Sequence, residues 1–259
     1  MHKNAKVIAI ANQKGGVGKT TTVTNLATAL AAISQKVLIV DFDPQGNVSS
    51  SFGLTNEQRK KTIYHVLSGE GINEAIIETG IANLNILPTT TELAAAEVEL
   101  AQISGGQRLL KDKLAEIQGS YDFIIIDCPP SLGLLTINAM CAANTILVPL
   151  QCEFFALEGL SHFVKTFETI KNKFNPNLAI EGILLTMYDK RYNLTSQVEN
   201  AVRERFGKLV YNTVIPRNVR VSEAPSHGKP VLIYDLQCIG STAYINLAKE
   251  VIEKNKLNV

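Results

Sequence analysis

The sequence predicts an α/β fold: a doubly wound, mostly parallel sheet flanked by helices. Short aliphatic runs alternate along the chain with segments of helical periodicity. The strand candidates are apolar at consecutive positions, which is typical of strands buried on both faces. The alternation is that of βαβ units, whose crossover helices join parallel strands. Because no linker, repeat or low-complexity stretch interrupts it, we expect a single domain over residues 1–259.

Each predicted element depends on a local pattern. The strand candidates are residues 7–11, 37–40, 123–126, 146–148 and 183–185. Apolar residues spaced three and four apart predict helical faces. These faces are Val23, Leu26, Ala27, Leu30 and Ala31; Leu157, Leu160, Val164, Phe167 and Phe174; and Ala243, Tyr244, Leu247, Ala248 and Val251. Residues 55–80 are the least regular part, where we expect short helices and loops.

Composition excludes several classes of protein. The chain has 259 residues, 46% of them hydrophobic, and a formal net charge of +1, so any DNA contact must come from a local patch. The 4 cysteines are widely spaced without a C-x-x-C pair, which argues against a disulfide framework or a zinc site. No apolar run reaches the roughly 18 residues of a membrane span, and the first residues form no signal region. We therefore expect a soluble, cytoplasmic protein without membrane contact.

The segment between the first predicted strand and the first predicted helix carries a phosphate-binding pattern. Residues 12–21 are Asn-Gln-Lys-Gly-Gly-Val-Gly-Lys-Thr-Thr. Glycines let successive main-chain N–H groups face one anion, and the N-terminus of the following helix adds positive potential. The pattern predicts a phosphate loop (P-loop) for ATP with Mg²⁺. The predicted nucleotide-binding residues are Lys14, Gly15, Gly16, Val17, Gly18, Lys19, Thr20 and Thr21.

Individual side chains of this loop have distinct expected roles. Lys19 is expected to reach the β- and γ-phosphates, Thr20 to ligate Mg²⁺, and Thr21 to reach the α-phosphate. Gln13 stands where the general pattern has glycine, and Lys14 adds a second lysine. This combination matches the deviant form of the Walker A motif. The alternative is an ordinary glycine-rich turn after a strand.

Three aspartates follow predicted strands and should meet the loop at one edge of the sheet. Asp41 and Asp43 end the second strand candidate, and Asp127 ends the third. In an open parallel sheet, ligands bind beyond the carboxyl ends of the strands. We expect Asp127 to hold Mg²⁺ through water, Asp43 to orient the attacking water, and Asp41 to support them from behind. The alternative for each is a helix N-cap or a turn residue.

Four segments resemble the ParA/Soj family of chromosome- and plasmid-partitioning ATPases, within the MinD/ParA superfamily of deviant Walker ATPases. They are residues 12–22, 41–47, 127–131 and 215–230. The first alone indicates only a deviant Walker ATPase. The last, Ile-Pro-Arg-Asn-Val-Arg-Val-Ser-Glu-Ala-Pro-Ser-His-Gly-Lys-Pro, is similar to the chromosomal branch. The resemblance covers almost the whole chain.

This resemblance implies an ATP-dependent partitioning switch. Two subunits would sandwich two ATP molecules, with Lys14 crossing to the partner's nucleotide and Gly15 lying where the subunits meet. Pro216 and Asn218 would contact adenine. The ATP-bound homodimer would bind double-stranded DNA without sequence preference and so associate with the nucleoid. A ParB-like centromere-binding protein would stimulate hydrolysis and release it. The implied catalytic residues are Lys14, Lys19 and Asp43.

The expected DNA contacts are Arg191, Arg217 and Arg220. Arg191 follows a predicted strand at a position that resembles a DNA contact of the family, and Arg217 lies between the two expected adenine contacts. Exposed cations are sufficient to bind phosphates, and dimerisation doubles their number. The patch could also include Lys190, Arg203 and Lys229. The alternative is ordinary solvated charge, above all for Arg203 and Arg205 beside Glu199 and Glu204.

Three other classes of function compete with this interpretation. A MinD-like membrane ATPase would need a basic amphipathic C-terminal helix, but here Glu and Lys mix on the polar face. An iron–sulfur reductase would need two positioned cysteines, and Cys128 has no evident companion. A binding module without enzymatic activity would leave Lys19, Thr20 and the aspartates unexplained.

Overall fold

A single sheet forms the centre of the protein. The computed structural model describes residues 4–257. Its strands are β1 (Lys6–Ile10), β2 (Val37–Asp41), β3 (Ile77–Glu78), β4 (Leu84–Leu87), β5 (Phe123–Asp127), β6 (Thr145–Gln151) and β7 (Ala179–Thr186). Within the described residues they form a seven-stranded sheet in the order β3–β4–β2–β5–β1–β6–β7. Only β3, at one edge, pairs antiparallel there. The predicted mostly parallel sheet is therefore confirmed.

Helices cover both faces of this sheet. They are α1 (Lys19–Ala32), α2 (Asn47–Ser51), α3 (Ile63–Leu67), α4 (Ile72–Ala75), α5 (Leu93–Gln102), α6 (Leu109–Ala115), α7 (Leu134–Ala142), α8 (Ala156–Phe174), α9 (Asn193–Phe206), α10 (Val219–Glu223), α11 (Val231–Tyr234) and α12 (Ile239–Leu257). In the part of the chain that the structure describes, no helix has the length and apolar character needed to cross a membrane.

Alternate residues of the central strands enter two separate cores. In β1, Val7 and Ala9 join a cluster with α5, α6, α7 and α8, whereas Ile8 and Ile10 join a cluster with α1 and α12. Burial on both faces explains why these strands are continuous apolar runs in the sequence. The predicted α12 face, which includes Leu247 and Ala248, is buried in the core that α1 shares.

The edge formed by β3 and β4 is the part of the sheet that the sequence did not predict. β3 has only two residues, and β4 is interrupted by the polar Asn85, which pairs with Leu38 of β2. Short strands with a polar centre lack the continuous apolar run of the others. Residues 55–80 otherwise contain α3, α4 and loops, as expected.

The strand register brings the candidate site together. Asp127 at the end of β5 pairs with Ile10 at the end of β1 and with Asp41 at the end of β2. The connection from β1 to α1 leaves the sheet at this same edge, because neighbouring parallel strands end together. The glycine-rich loop and the aspartates are therefore neighbours in space.

Candidate functional site

The loop between β1 and α1 is an open cradle of main chain. Gly16 and Gly18 have positive φ values of 74° and 87°, a conformation that favours glycine. A Cβ atom placed on Gly15, Gly16 or Gly18 would meet no atom of residues 4–257 within 4 Å, so these residues leave the space beside the loop free. Main-chain N–H groups in this arrangement, followed by a helix N-terminus, suit a phosphate group.

Hydrogen bonds from neighbouring strands hold this loop. The Asn12 side-chain amide donates to the Pro149 carbonyl of β6 at 2.7 Å, while its Oδ1 accepts from the Lys14 N–H at 3.0 Å. The Thr186 hydroxyl of β7 donates to the Val17 carbonyl at 2.8 Å. These contacts join the loop to the end of the sheet, so its shape depends on the carboxyl ends of β6 and β7.

The two lysines of the loop occupy different environments. Lys19 is only 8% exposed, and its Nζ donates to the Lys14 carbonyl at 3.0 Å. Burial lowers the Lys19 pKa, although the nearby carboxylates oppose this. The Lys14 side chain is 43% exposed, and its ammonium forms an ion pair with Glu153, which follows β6. Lys19 therefore lies within the cradle, whereas the Lys14 ammonium is directed to Glu153.

Thr20 and Asp127 form the part of the site that suits a cation. The Thr20 hydroxyl donates to Asp127 Oδ2 at 2.8 Å. The other carboxylate oxygen, Oδ1, is buried without a partner among the described residues. Burial, together with the Asp41 charge, raises the Asp127 pKa well above its ordinary value. Because hydroxyl and carboxylate oxygens are the ligands that Mg²⁺ prefers, directly or through water, these residues fit a magnesium site.

Asp41 and Asp43 have different surroundings although one residue separates them. The buried Asp41 Oδ2 accepts from the Ser49 N–H at 2.8 Å and from its hydroxyl at 2.6 Å. Burial raises the Asp41 pKa to about 6. Asp43 is 7% exposed, and its Oδ1 accepts from the Gln45 N–H at 3.0 Å in a turn. Asp41 thus anchors the first residues of α2. The Asp43 carboxylate instead stabilises the turn that follows β2, at the same edge of the sheet as the phosphate loop.

A small cavity lies at the end of the phosphate loop that leads into α1. Its volume is about 160 Å³, and its lining includes Gly18, Thr21, Pro216 and Asn218. Asn218 also caps α10, since its Oδ1 accepts from the Val221 N–H at 3.3 Å. That bond leaves the side-chain amide nitrogen available as a donor. The expected adenine contacts therefore lie beside the loop, where a base joined to bound phosphates could reach them.

The three expected DNA contacts do not share one environment. Arg191 and Arg217 line one open groove of about 820 Å³ together with Lys190. The Arg191 side chain is 80% exposed and pairs with Asp189 at 2.6 Å. Arg217 is exposed and makes no ion pair with a residue of the described range. Arg220 is not among the groove residues; it pairs with Glu223 at 3.1 Å and Asp235 at 3.4 Å.

Other charged and sulfur-containing residues have evident packing roles. Arg203 pairs with Glu199 at 2.8 Å, in the arrangement of a mixed helix face. The Cys128 side chain is fully buried, and burial raises the pKa of its thiol above the ordinary range. Cys128 therefore acts as a small apolar side chain behind the site.

Sequence reasoning missed Glu153 and Ser49. Ser49 was not identified because its hydrogen bonds to Asp41 form only when α2 folds back over β2. Glu153 had a usable signal, because it follows the carboxyl end of a predicted strand at the edge where the other site residues lie. Its contact with Lys14 depends on the order of β1 and β6 in the sheet, which a single sequence does not reveal.

The site combines a glycine-rich loop at the carboxyl edge of a parallel sheet, a lysine inside that loop and a Thr–Asp pair beside it. These features together define a P-loop nucleoside triphosphatase.

Comparison with known proteins identifies the family. A family model described as an AAA domain matches residues 5–180. The chromosome partitioning protein ParA of Caulobacter vibrioides (strain NA1000 / CB15N) is 53% identical over 254 residues, which cover 97% of this chain and 95% of that protein. The sporulation initiation inhibitor protein Soj of Bacillus subtilis is 50% identical, with 95% and 98% covered. The chain belongs to the ParA/Soj family of chromosome-partitioning ATPases.

Solved structures share this fold. Cobyrinic acid a,c-diamide synthase from Mycobacterium smegmatis, with bound ADP and magnesium, has a TM-score of 0.86 and 35% identity, covering 98% of this chain and 97% of that chain. The cell division ATPase MinD of Pyrococcus furiosus has a TM-score of 0.80 and 27% identity, with 96% and 99% covered. Nucleotide and magnesium are thus bound by a protein of this fold.

Proposed function

We propose that this chain is an ATP-dependent switch for DNA partitioning. Binding of ATP with Mg²⁺ drives two subunits into a sandwich dimer, and this dimer binds double-stranded DNA of the nucleoid without sequence preference. A ParB-like centromere-binding protein stimulates hydrolysis and resets the switch during chromosome or plasmid segregation. The observation that carries the proposal is the contrast between Lys19 inside its own loop and Lys14 outside it.

The subunit's own residues account for nucleotide binding. The main chain from Lys14 to Thr21 binds the phosphates, and Lys19 neutralises their charge. Thr20 and Asp127 would hold Mg²⁺, which supplies further charge neutralisation when it is bound. Asp127 Oδ1 is buried without a partner in the described range, which supports this role because a buried polar atom without a partner is costly. Asp43 orients the attacking water from the rim.

Lys14 provides the link between nucleotide and assembly. Its ammonium is held by Glu153 on the outside of the loop, where a second subunit could approach it. A lysine donated to the partner's nucleotide does the work of an arginine finger, since it neutralises charge that develops in the transition state. Dimerisation then depends on the γ-phosphate, and hydrolysis destabilises the dimer because it removes the phosphate that Lys14 contacts.

Gly15→Val should leave the subunit folded and prevent ATP-driven dimerisation. Gly15 has no positive φ, and no atom in the described part of the chain lies within 4 Å of a Cβ placed there, so the free energy of unfolding should change by less than about 0.5 kcal/mol. A side chain at this exposed position would separate two subunits that meet at the loop. Thermal unfolding and light scattering with ATP measure the two effects.

The matched control is Gly119→Val. Gly119 is also exposed with free space around its Cβ position, but it precedes β5 at the opposite end of the sheet. This variant should dimerise like the wild type. Normal dimerisation of Gly15→Val would show that Gly15 is remote from the subunit interface.

Arg217→Ala should weaken DNA binding and reduce its salt dependence. Arg217 is exposed and lacks an ion-pair partner in the described range, so its charge is available for a phosphate. Two copies per dimer should lower the slope of log K against log salt concentration by roughly two. Fluorescence anisotropy with labelled duplex DNA and ATP measures this slope. Lys36→Ala, which removes an exposed charge at the amino end of β2, is the control and should leave the slope unchanged.

ATP turnover with and without DNA and the cognate ParB-like protein tests the proposed function directly. We expect slow turnover by the chain alone and a clear increase when both are present. DNA binding should require ATP. Turnover that stays undetectable under every condition, or DNA binding that ignores the nucleotide, would rule out the switch.

A further inference from the structure

Two large aromatic side chains are exposed directly after β6. Phe154 is 76% exposed and Phe155 is 61% exposed. Their rings pack edge to face, with centroids 5.0 Å apart, so they present a single apolar surface rather than two scattered ones. Adjacent exposed aromatics of this size are typical of protein interfaces, where Phe is enriched.

This aromatic pair is continuous with the phosphate loop. The preceding residue, Glu153, forms the ion pair with Lys14. Two further contacts fix the loop to the same region: Asn12 donates to the Pro149 carbonyl of β6, and the Gln13 side chain donates to the Thr166 hydroxyl of α8 at 3.2 Å. The pair therefore directly follows the residue that binds the Lys14 ammonium, and it lies between β6 and α8, the two elements that also hold the loop.

We propose that Phe154 and Phe155 form part of the surface through which two copies of this chain meet. This inference rests on the proposed function, because it takes the partner of Lys14 to be a second subunit. A second copy that brings its nucleotide to Lys14 must also approach the residues adjoining Glu153. Burial of the aromatic pair supplies apolar contact beside the charged centre, and Glu153 keeps Lys14 at this face before the second copy arrives.

The double variant Phe154→Ser/Phe155→Ser tests this surface. Both side chains are exposed, so the fold should tolerate the change. The protein concentration for half-dimerisation with ATP, measured by light scattering, should rise at least tenfold, as is usual when aromatic anchors of an interface are removed. Binding of a fluorescent ATP analogue to the monomer should change less than twofold. The matched control is Val98→Ser/Ile103→Ser, which removes two apolar side chains that are 65% and 50% exposed, one within α5 and one directly after it.

Photo-crosslinking identifies what covers the pair. With benzoylphenylalanine at position 154, we expect covalent dimers of this chain only when ATP is present. Adducts with the ParB-like partner alone, or no adduct with either, would overturn the inference, as would normal dimerisation of the double serine variant. If the wild-type chain dimerises with ATP while these results are negative, only this surface is wrong. If the wild-type chain does not dimerise, the proposed function fails as well.

Discussion

Lys14→Ala should abolish ATP-driven dimerisation while the monomer still binds ATP. The Lys14 ammonium is paired with Glu153 outside the loop, whereas Lys19 supplies the buried charge within it. Removing Lys14 therefore leaves most of the cradle intact. Its loss should lower partner-stimulated turnover by about 10³-fold or more, the effect of an arginine finger supplied by another molecule.

Two measurements separate assembly from binding in this variant. Light scattering with ATP reports the dimer, and a fluorescent ATP analogue reports the affinity of the monomer. Lys36→Ala serves as the control, because it removes another exposed lysine at the opposite end of the sheet. A Lys14→Ala protein that dimerises with ATP at the wild-type concentration would contradict the role of Lys14 in the partner's site.

Asp43→Ala should have the opposite effect and trap an ATP-bound dimer on DNA. Asp43 is nearly buried at the carboxyl end of β2, beside the loop that would hold the phosphates. Without a carboxylate to orient the attacking water, turnover should fall by about 10²- to 10⁴-fold. In the proposed mechanism this carboxylate takes part in neither binding nor dimerisation, so we expect DNA-bound protein to persist after free ATP is removed. Single-turnover hydrolysis and dissociation from labelled DNA measure the two effects.

Asp43→Asn separates catalysis from local structure. Asp43 Oδ1 accepts the Gln45 N–H at 3.0 Å, and an asparagine oxygen can keep that bond. The variant therefore retains the turn but lacks the negative charge. It should resemble Asp43→Ala in turnover. Wild-type turnover by Asp43→Asn would show that the residue serves the turn alone.

Much of the fold could be predicted because the central strands are buried on both faces. The runs that contain Val7 to Ala11 and Phe123 to Ile126 are continuously apolar, so a single sequence is enough to predict them as buried strands. β4 could not be predicted because Asn85 interrupts its apolar run and because its pairing with β2 is evident only in the folded structure. The order of the strands could not be obtained in the same way, since it depends on which apolar faces pack together.

The candidate site likewise has features that local sequence predicts and features that only the folded structure reveals. The proximity of Lys19, Thr20 and Asp127 could be predicted because two of them belong to a local motif and the third ends a neighbouring strand. Two other contacts could not be predicted: the ion pair between Glu153 and Lys14, and the hydrogen bonds from Ser49 to Asp41. Each contact joins segments that become neighbours only when the sheet has folded. The different surroundings of Lys14 and Lys19 likewise appear only in the structure.

Mixing two inactive variants tests the central role of Lys14 most directly. In a mixed dimer of Lys14→Ala and Asp43→Ala subunits, the nucleotide of the Lys14→Ala subunit has its own Asp43 and receives Lys14 from the other subunit. We therefore expect the mixture, with DNA and the ParB-like protein, to recover turnover that neither variant shows alone. If Lys14 acts within its own subunit, neither site of the mixed dimer is complete. A mixture in which cross-linking detects mixed dimers, but which is no more active than the sum of its two components, would contradict the account.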